Sequence, residues 1–226
     1  MALKDYMAVE DMTTEFFFGL LMALDITNVM RLALIGQDDE FIISVITVGI
    51  IGCNFAWGLA DGVMNSISQY YENLKQYQFA QKLRGMPDGK DATDLTARAL
   101  RDNMSPMQSD LVDEVALRTL SATVVTNART AHLESPKFGK PEWMVLILST
   151  GLNLIAAVPI LFVYSIAIFI GLNAATAISN LVGLLMLFLI GYYLSRKAKS
   201  RKSLYAGLLM VGVGLIMLVV VVAMGG

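Results

Sequence analysis

The chain has 226 residues, of which 56% are hydrophobic and only 16% are charged, and its mean hydropathy is +0.61. A typical soluble domain is about 45–50% apolar and about 25% charged, so this composition excludes that class and excludes a disordered chain. The formal net charge of -2, with no long basic run, excludes a nucleic-acid partner. One cysteine, Cys53, and one histidine, His132, exclude a disulfide framework and a thiol- or imidazole-rich metal centre. An all-α polytopic membrane protein remains.

The first fifteen residues carry Asp5, Glu10, Asp11 and Glu15 against Lys4. They read as a short amphipathic helix on the membrane surface, residues 1–15, and not as a signal peptide. A helix needs roughly 20 apolar residues to cross a bilayer. Five stretches meet that length: about Phe16–Ile35, Phe41–Ile67, Trp143–Ile170, Thr176–Leu194 and Ser203–Met224. The organisation is therefore two transmembrane helices within 16–70, a polar helical insertion over 71–142, and three transmembrane helices within 143–226.

Loop charge sets the orientation. Gln37-Asp38-Asp39-Glu40, between spans one and two, has no basic residue. The turn between spans four and five reads Arg196-Lys197-Ala198-Lys199-Ser200-Arg201-Lys202, and the long insertion holds most of the other lysines and arginines. Five spans put both basic regions on one side. That side is expected to be the cytosol, with the N-terminus inside and the C-terminus outside.

The insertion balances acidic against basic residues and favours helices. Tyr70–Leu83 extends span two as a helix, and Gly85-Met86-Pro87-Asp88-Gly89 breaks it. Asp91–Asn103 reads as a second helix. Ser105-Pro106 starts a third, with Ser105 as N-cap and Pro106 in its first turn. Asp110, Asp113 and Glu114, spaced i, i+3 and i+4, are expected to share a face of that helix. Such a face either collects divalent cations or is simply solvated. Asp88, Asp91 and Asp94 are more loosely spaced round a turn.

Two carboxylates fall within the spans, where a charge costs about 2.5–3.5 kcal/mol on insertion scales and usually marks function. Asp25 lies midway along span one, with Met22 at i−3 and Asn28 at i+3. On span two, Asn54, Asp61, Met64, Asn65 and Ser68 form a polar stripe at helical spacing. Carboxylate and amide oxygens with thioether sulfur make a mixed donor set suited to a first-row divalent ion such as Fe²⁺ or Mn²⁺. The bland reading of the same residues is interhelical hydrogen bonding. Arg31 either snorkels to the outer headgroups or pairs with a buried carboxylate, as a gating or charge-pairing group. Pro159 is expected to kink span three, with Asn153 serving the backbone group it frees. Gly207, Gly212 and Gly214 permit close helix contact and point to oligomerisation.

Two spans, a helical insertion and three spans, together with Leu24-Asp25-Ile26-Thr27 through Ala33-Leu34-Ile35-Gly36 and Ala60-Asp61-Gly62-Val63-Met64-Asn65-Ser66-Ile67-Ser68-Gln69-Tyr70, resemble the vacuolar iron transporter family. Ala157-Val158-Pro159 and Gly191 before the basic turn are also similar. The sequence departs from the family's pattern where Ile26 replaces a Gly and Gln69 a Glu. The resemblance implies a homodimer that moves Fe²⁺ or Mn²⁺ out of the cytosol against protons, with Asp25 and Met64 as metal ligands.

The leading expectation is thus a divalent-metal transporter of the cell membrane or a vacuole-like organelle. Its metal ligands would be Asp25, Met22, Asp61, Met64 and Asn65, and its partners lipid, protons and a second copy of the chain. The metal is cargo, with no permanently bound cofactor. The alternative is a membrane-anchored scaffold whose Asp25–Arg31–Asp61 network is structural and whose cytosolic helices dock a partner. No Ser/His pair or cofactor motif suggests an enzyme.

Overall fold

A computed structural model of the chain describes residues 3–87 and 90–223. The expectations for Met1, Ala2, Asp88, Gly89 and the end of span five from Met224 lie outside the described residues. Among the described residues the regular structure is helical, with no strand. After one 3₁₀ turn at Leu3–Asp5 come α1 (Val9–Ala33), α2 (Asp39–Gly85), α3 (Lys90–Asp102), α4 (Pro106–Leu111) and α5 (Glu114–Thr130). Then follow α6 (Lys140–Ser165), α7 (Ala167–Ile170), α8 (Leu172–Lys197) and α9 (Ser203–Ala223). Five of these, α1, α2, α6, α8 and α9, are long and apolar enough to cross a membrane. The protein is an all-α, polytopic, integral membrane protein.

The chain divides into two compact units. One takes the residues up to Ser66 and those from Lys140 on; the other is Ile67–Gly139. In the first, Leu20, Leu24, Ile42, Ile46, Ile50, Ile160, Tyr164 and Leu187 are almost fully buried and form one core. Many other large apolar side chains, such as Ile147, Phe162, Leu181 and Leu208, stay exposed, as a lipid-facing surface requires.

Close approach between helices depends on small residues, because lipid supplies no hydrophobic drive between them. A Cβ added at Gly19 of α1 would meet the Asn153 carbonyl oxygen of α6 at 2.6 Å. One added at Gly62 of α2 would meet the Leu146 carbonyl oxygen at 2.8 Å. Gly207 and Gly214 of α9 press on Phe188 and on Leu187 of α8. These two glycines, expected to serve oligomerisation, therefore serve packing within the chain, and Gly212 faces open space.

Helix ends follow local chemistry. Gly171, at φ 82, makes the turn between α7 and α8, a region that costs other residues a Cβ clash. Span three breaks at Ile166 and continues only as the short α7. Pro159 lies inside α6, which runs on to Ser165. Asn153 donates to the Ser149 carbonyl and to Glu15, so it does not serve the carbonyl that Pro159 frees.

Span one also differs from expectation at its start. The helix begins at Val9 and runs unbroken through Phe16. Residues 9–15 are the first two turns of the spanning helix and not a separate surface helix. Thr13 and Thr14 donate their hydroxyls to the carbonyls of Val9 and Glu10, which satisfies these polar groups within the helix.

In the second unit, Leu83, Ala92, Val125 and Ala128 form a small core with Phe79, Leu95 and Val124. Arg84 closes the end of α5 by donating to the Ala128 carbonyl at 2.6 Å and to that of Ala131. Ser105 caps α4 in a reciprocal capping box with Gln108, with Pro106 in the first turn. That helix is shorter than its start signal suggests, because Val112 is extended and Asp113 caps a new helix.

Candidate functional site

A carboxylate that the sequence places at the surface is buried in the spanning unit. Glu15 is 5% exposed. Its Oε1 accepts from Asn65 Nδ2 at 2.7 Å and Ser149 Oγ at 2.9 Å, and its Oε2 accepts from Asn153 Nδ2 at 2.7 Å. The donors come from α2 and α6, so this carboxylate joins three spanning helices. No lysine or arginine pairs with it among the described residues.

Local geometry explains the convergence. Ser149 and Asn153 are one turn apart on α6, so both face the same neighbour. Gly19, one turn after Glu15, lets α1 lie against the Asn153 backbone. Gly58, two turns before Asn65, does the same for α2, where an added Cβ would meet Asn153 Cβ at 2.9 Å. The small residues thus bring the polar groups within hydrogen-bond reach.

Asp61 belongs to the same neighbourhood. It is one turn from Asn65 on α2, is half-buried, and lies within electrostatic reach of Glu15. Trp57, a turn earlier, directs its indole N–H to Asp61. Two buried amide oxygens nearby have no hydrogen-bond donor: Asn153 Oδ1 and Asn54 Oδ1. Asn54 is fully buried and donates from Nδ2 to the Ile50 carbonyl. Buried acceptors without donors are costly and mark places where a cation or proton is welcome.

Asp25 lies ten residues further along α1, about 15 Å up the helix axis. It is half-buried, and its Oδ1 is buried without a hydrogen-bond partner. Met22 is half-buried one turn before it. The neighbouring Ile26 meets Gly49 of α2, about three turns into that helix, so Asp25 lies near that level, while Asn65 is level with Glu15.

The five residues expected to form one metal site are therefore not gathered in one place. Asp25 and Met22 form one station, and Asp61 and Asn65 join Glu15 at another. Met64 is 62% exposed. Helical spacing speaks only of residues on one helix, whereas the register between α1 and α2 is fixed by packing. Arg31 pairs with no carboxylate among the described residues; its Nη2 donates to Asn173 Oδ1 of α8 at 2.8 Å. Asn28 likewise turns to α8, exchanging hydrogen bonds with Asn180 at 2.9 and 3.0 Å.

The acidic face expected at Asp110, Asp113 and Glu114 does not form. Asp110 lies on α4, whereas Asp113 is the N-cap of α5 and accepts from the Ala116 N–H at 2.6 Å. Glu114 takes ion pairs from Arg101 and Arg118. Hydrogen bonding to Arg101, then to Arg118, holds its carboxyl below the usual range. Among the described residues, no group of three His, Cys, Asp or Glu side chains could hold a metal ion.

The sequence did carry a signal for Glu15. Asn65 on one span, and Ser149 and Asn153 a turn apart on another, are donors that need an acceptor inside the bundle. Glu15 is the carboxylate of span one at the matching depth. A scan against protein-family models gives no match to this chain, and a search of curated proteins gives none either.

Proposed function

We propose that the protein is a homodimeric transporter of divalent metal cations of the Fe²⁺ or Mn²⁺ kind, moving them out of the cytosol in exchange for protons. One observation carries this reading: the buried Glu15 carboxylate, held inside a membrane-spanning bundle by neutral amides and a hydroxyl. Ionisable groups at such depth are expensive and are kept for ion or proton pathways. The sequence resemblance to vacuolar iron transporters supports the choice of ion and the dimer.

Asparagine suits such a site because its amide offers either a donor or an acceptor. With no ion bound, Asn65 and Asn153 turn N–H groups to the carboxylate. With a cation bound, rotation of either amide presents Oδ1 instead. Asn153 Oδ1 is already without a partner. Asp61 adds a second negative charge to this station. Asp25, with an unpartnered oxygen and Met22 one turn away, is a second station along α1. Protonation of either carboxylate weakens its hold on metal, which couples release to an acidic compartment.

The test is uptake of Fe²⁺ and Mn²⁺ into proteoliposomes with an inward metal gradient and an imposed pH gradient. Flux above that of empty liposomes, reduced about tenfold or more in Asp25→Asn, supports the reading. Unchanged flux in Asp25→Asn removes the second station from the mechanism.

A second reading is favoured by a different observation. In the middle unit Met107, Leu111 and Val115 are 73%, 75% and 74% exposed. A membrane-anchored scaffold would use such a surface to hold a partner, and Glu15 would then be structural. Absence of flux for every divalent ion, with the fold intact, would select that alternative.

A further inference from the structure

We propose that the turn between α8 and α9 is a binding site for the phosphate groups of an anionic membrane lipid. A cavity of about 530 Å³ opens there, lined by Arg196, Lys199, Ser200, Arg201 and Ser203. Three cationic side chains and two hydroxyl groups surround it, and no carboxylate does. Of the basic residues in this turn, Lys197 is directed elsewhere, to Glu10 at 2.8 Å. Arg196, Lys199 and Arg201 have no ion pair among the described residues. Three unneutralised cations facing one cavity repel each other and are stabilised by an oxyanion with several acceptor oxygens.

The turn is built and not frayed. Ala198 N–H donates to the Leu194 carbonyl, Lys199 N–H to Arg196 and Ser200 N–H to Ser195, each at 3.0 Å. Ser200 Oγ then accepts from Lys202 N–H at 3.2 Å. Lys199 sits at φ 54, the only described non-glycine residue with positive φ. Glycine or asparagine would take that conformation more easily. A lysine kept there despite the cost points to a use for its side chain.

Orientation in the bilayer explains basic residues near helix ends, but it does not require that they converge on a cavity. The lipid is favoured over a free anion by what adjoins the cavity. Leu204, Tyr205 and Leu208, in the first turns of α9, are 65%, 66% and 62% exposed. Acyl chains can lie along this apolar face while phosphate oxygens meet the cations. Basic pockets beside spanning helices bind phosphorylated headgroups by the same chemistry. This site is independent of the ion that the bundle carries.

The experiment is thermal unfolding of the full-length protein in neutral detergent, with added phosphatidylcholine, cardiolipin or inorganic phosphate. Ligand that binds the folded state raises the midpoint in proportion to its affinity. Cardiolipin is expected to raise it, and phosphatidylcholine and inorganic phosphate are expected not to. A triple variant, Arg196→Gln with Lys199→Gln and Arg201→Gln, should lose the shift. At about fivefold in affinity per cation, the three together are worth about a hundredfold. A control with the same charge change, Lys75→Gln with Lys82→Gln and Lys90→Gln, should keep it.

Should the triple variant fail to fold, Lys199→Gly gives an independent reading. Its midpoint without lipid should rise, because the strained φ is relieved, while its shift with cardiolipin should fall. Three results overturn the proposal: no shift in the wild type, an equal loss in the control variant, or a full shift with inorganic phosphate alone. The last would assign the cavity to a free anion.

Discussion

A double-mutant cycle between Glu15 and Asn153 tests whether the carboxylate is held as the geometry describes. Asn153 is the only donor to Glu15 Oε2 among the described residues. Asn153→Ala therefore leaves that oxygen buried without a donor, in a side chain that is 5% exposed. A hydrogen bond to a charged group is worth about 1.5–3 kcal/mol, and an unsatisfied buried partner costs at least as much as the bond. Asn153→Ala also opens a cavity, and Glu15→Ala another. Each cavity term appears in both arms of the cycle and largely cancels. The expected result is that Asn153→Ala costs about 2–4 kcal/mol in the wild type and much less in Glu15→Ala. The coupling energy should be about 1.5–3 kcal/mol. Equilibrium unfolding by denaturant in mild detergent or bicelles measures all four proteins. A coupling below about 0.5 kcal/mol would mean that the two side chains do not interact as described, since that is the scatter for independent sites.

Other consequences follow from the packing and the electrostatics. Gly62→Ala drives a Cβ to 2.8 Å from the Leu146 backbone oxygen, whereas a Cβ at Gly52 meets nothing within 4 Å. Unfolding midpoints should show Gly62→Ala destabilised by about 1–3 kcal/mol, with Gly52→Ala neutral or slightly stabilised. Equal effects would contradict the helix approach. Glu114 has its carboxyl held down by Arg101 and Arg118, so its contribution is present above the usual carboxylate range and is lost as pH falls through its lowered value. Glu114→Gln should therefore speed amide exchange in α3 and α5 at neutral pH and leave it unchanged in acid. The reverse pH dependence would refute the pairing.

Hydropathy and loop length made the five spans legible, because a bilayer imposes a length and an apolar face that sequence displays directly. The Ser105-Pro106 start was equally plain, since capping is local chemistry. The site was harder for a physical reason. Asp25, Asp61 and Asn65 are readable as polar residues on their own helices, but which of them meet depends on interhelical register. That register is set by Gly19, Gly58 and Gly62 pressing on α6, a long-range fact with no local signature. Glu15 was misplaced because an acidic, Thr-rich start looks interfacial, and its three partners lie 50, 134 and 138 residues away. Asp110 was grouped with Asp113 by spacing alone, while an extended Val112 separates the two helices. Arg31 was legible as an exception to the apolar span, yet its partner Asn173 belongs to a helix that pattern alone could not bring beside it.

The central claim is that Glu15 is an ion station and not only a structural knot. The most direct measurement is Mn²⁺ uptake into proteoliposomes by Glu15→Gln, beside the wild type and at matched protein incorporation. Glutamine keeps an acceptor oxygen for the surrounding donors and removes the charge. The account predicts a folded variant whose flux falls about tenfold or more. A folded Glu15→Gln protein that carries Mn²⁺ at the wild-type rate would contradict it.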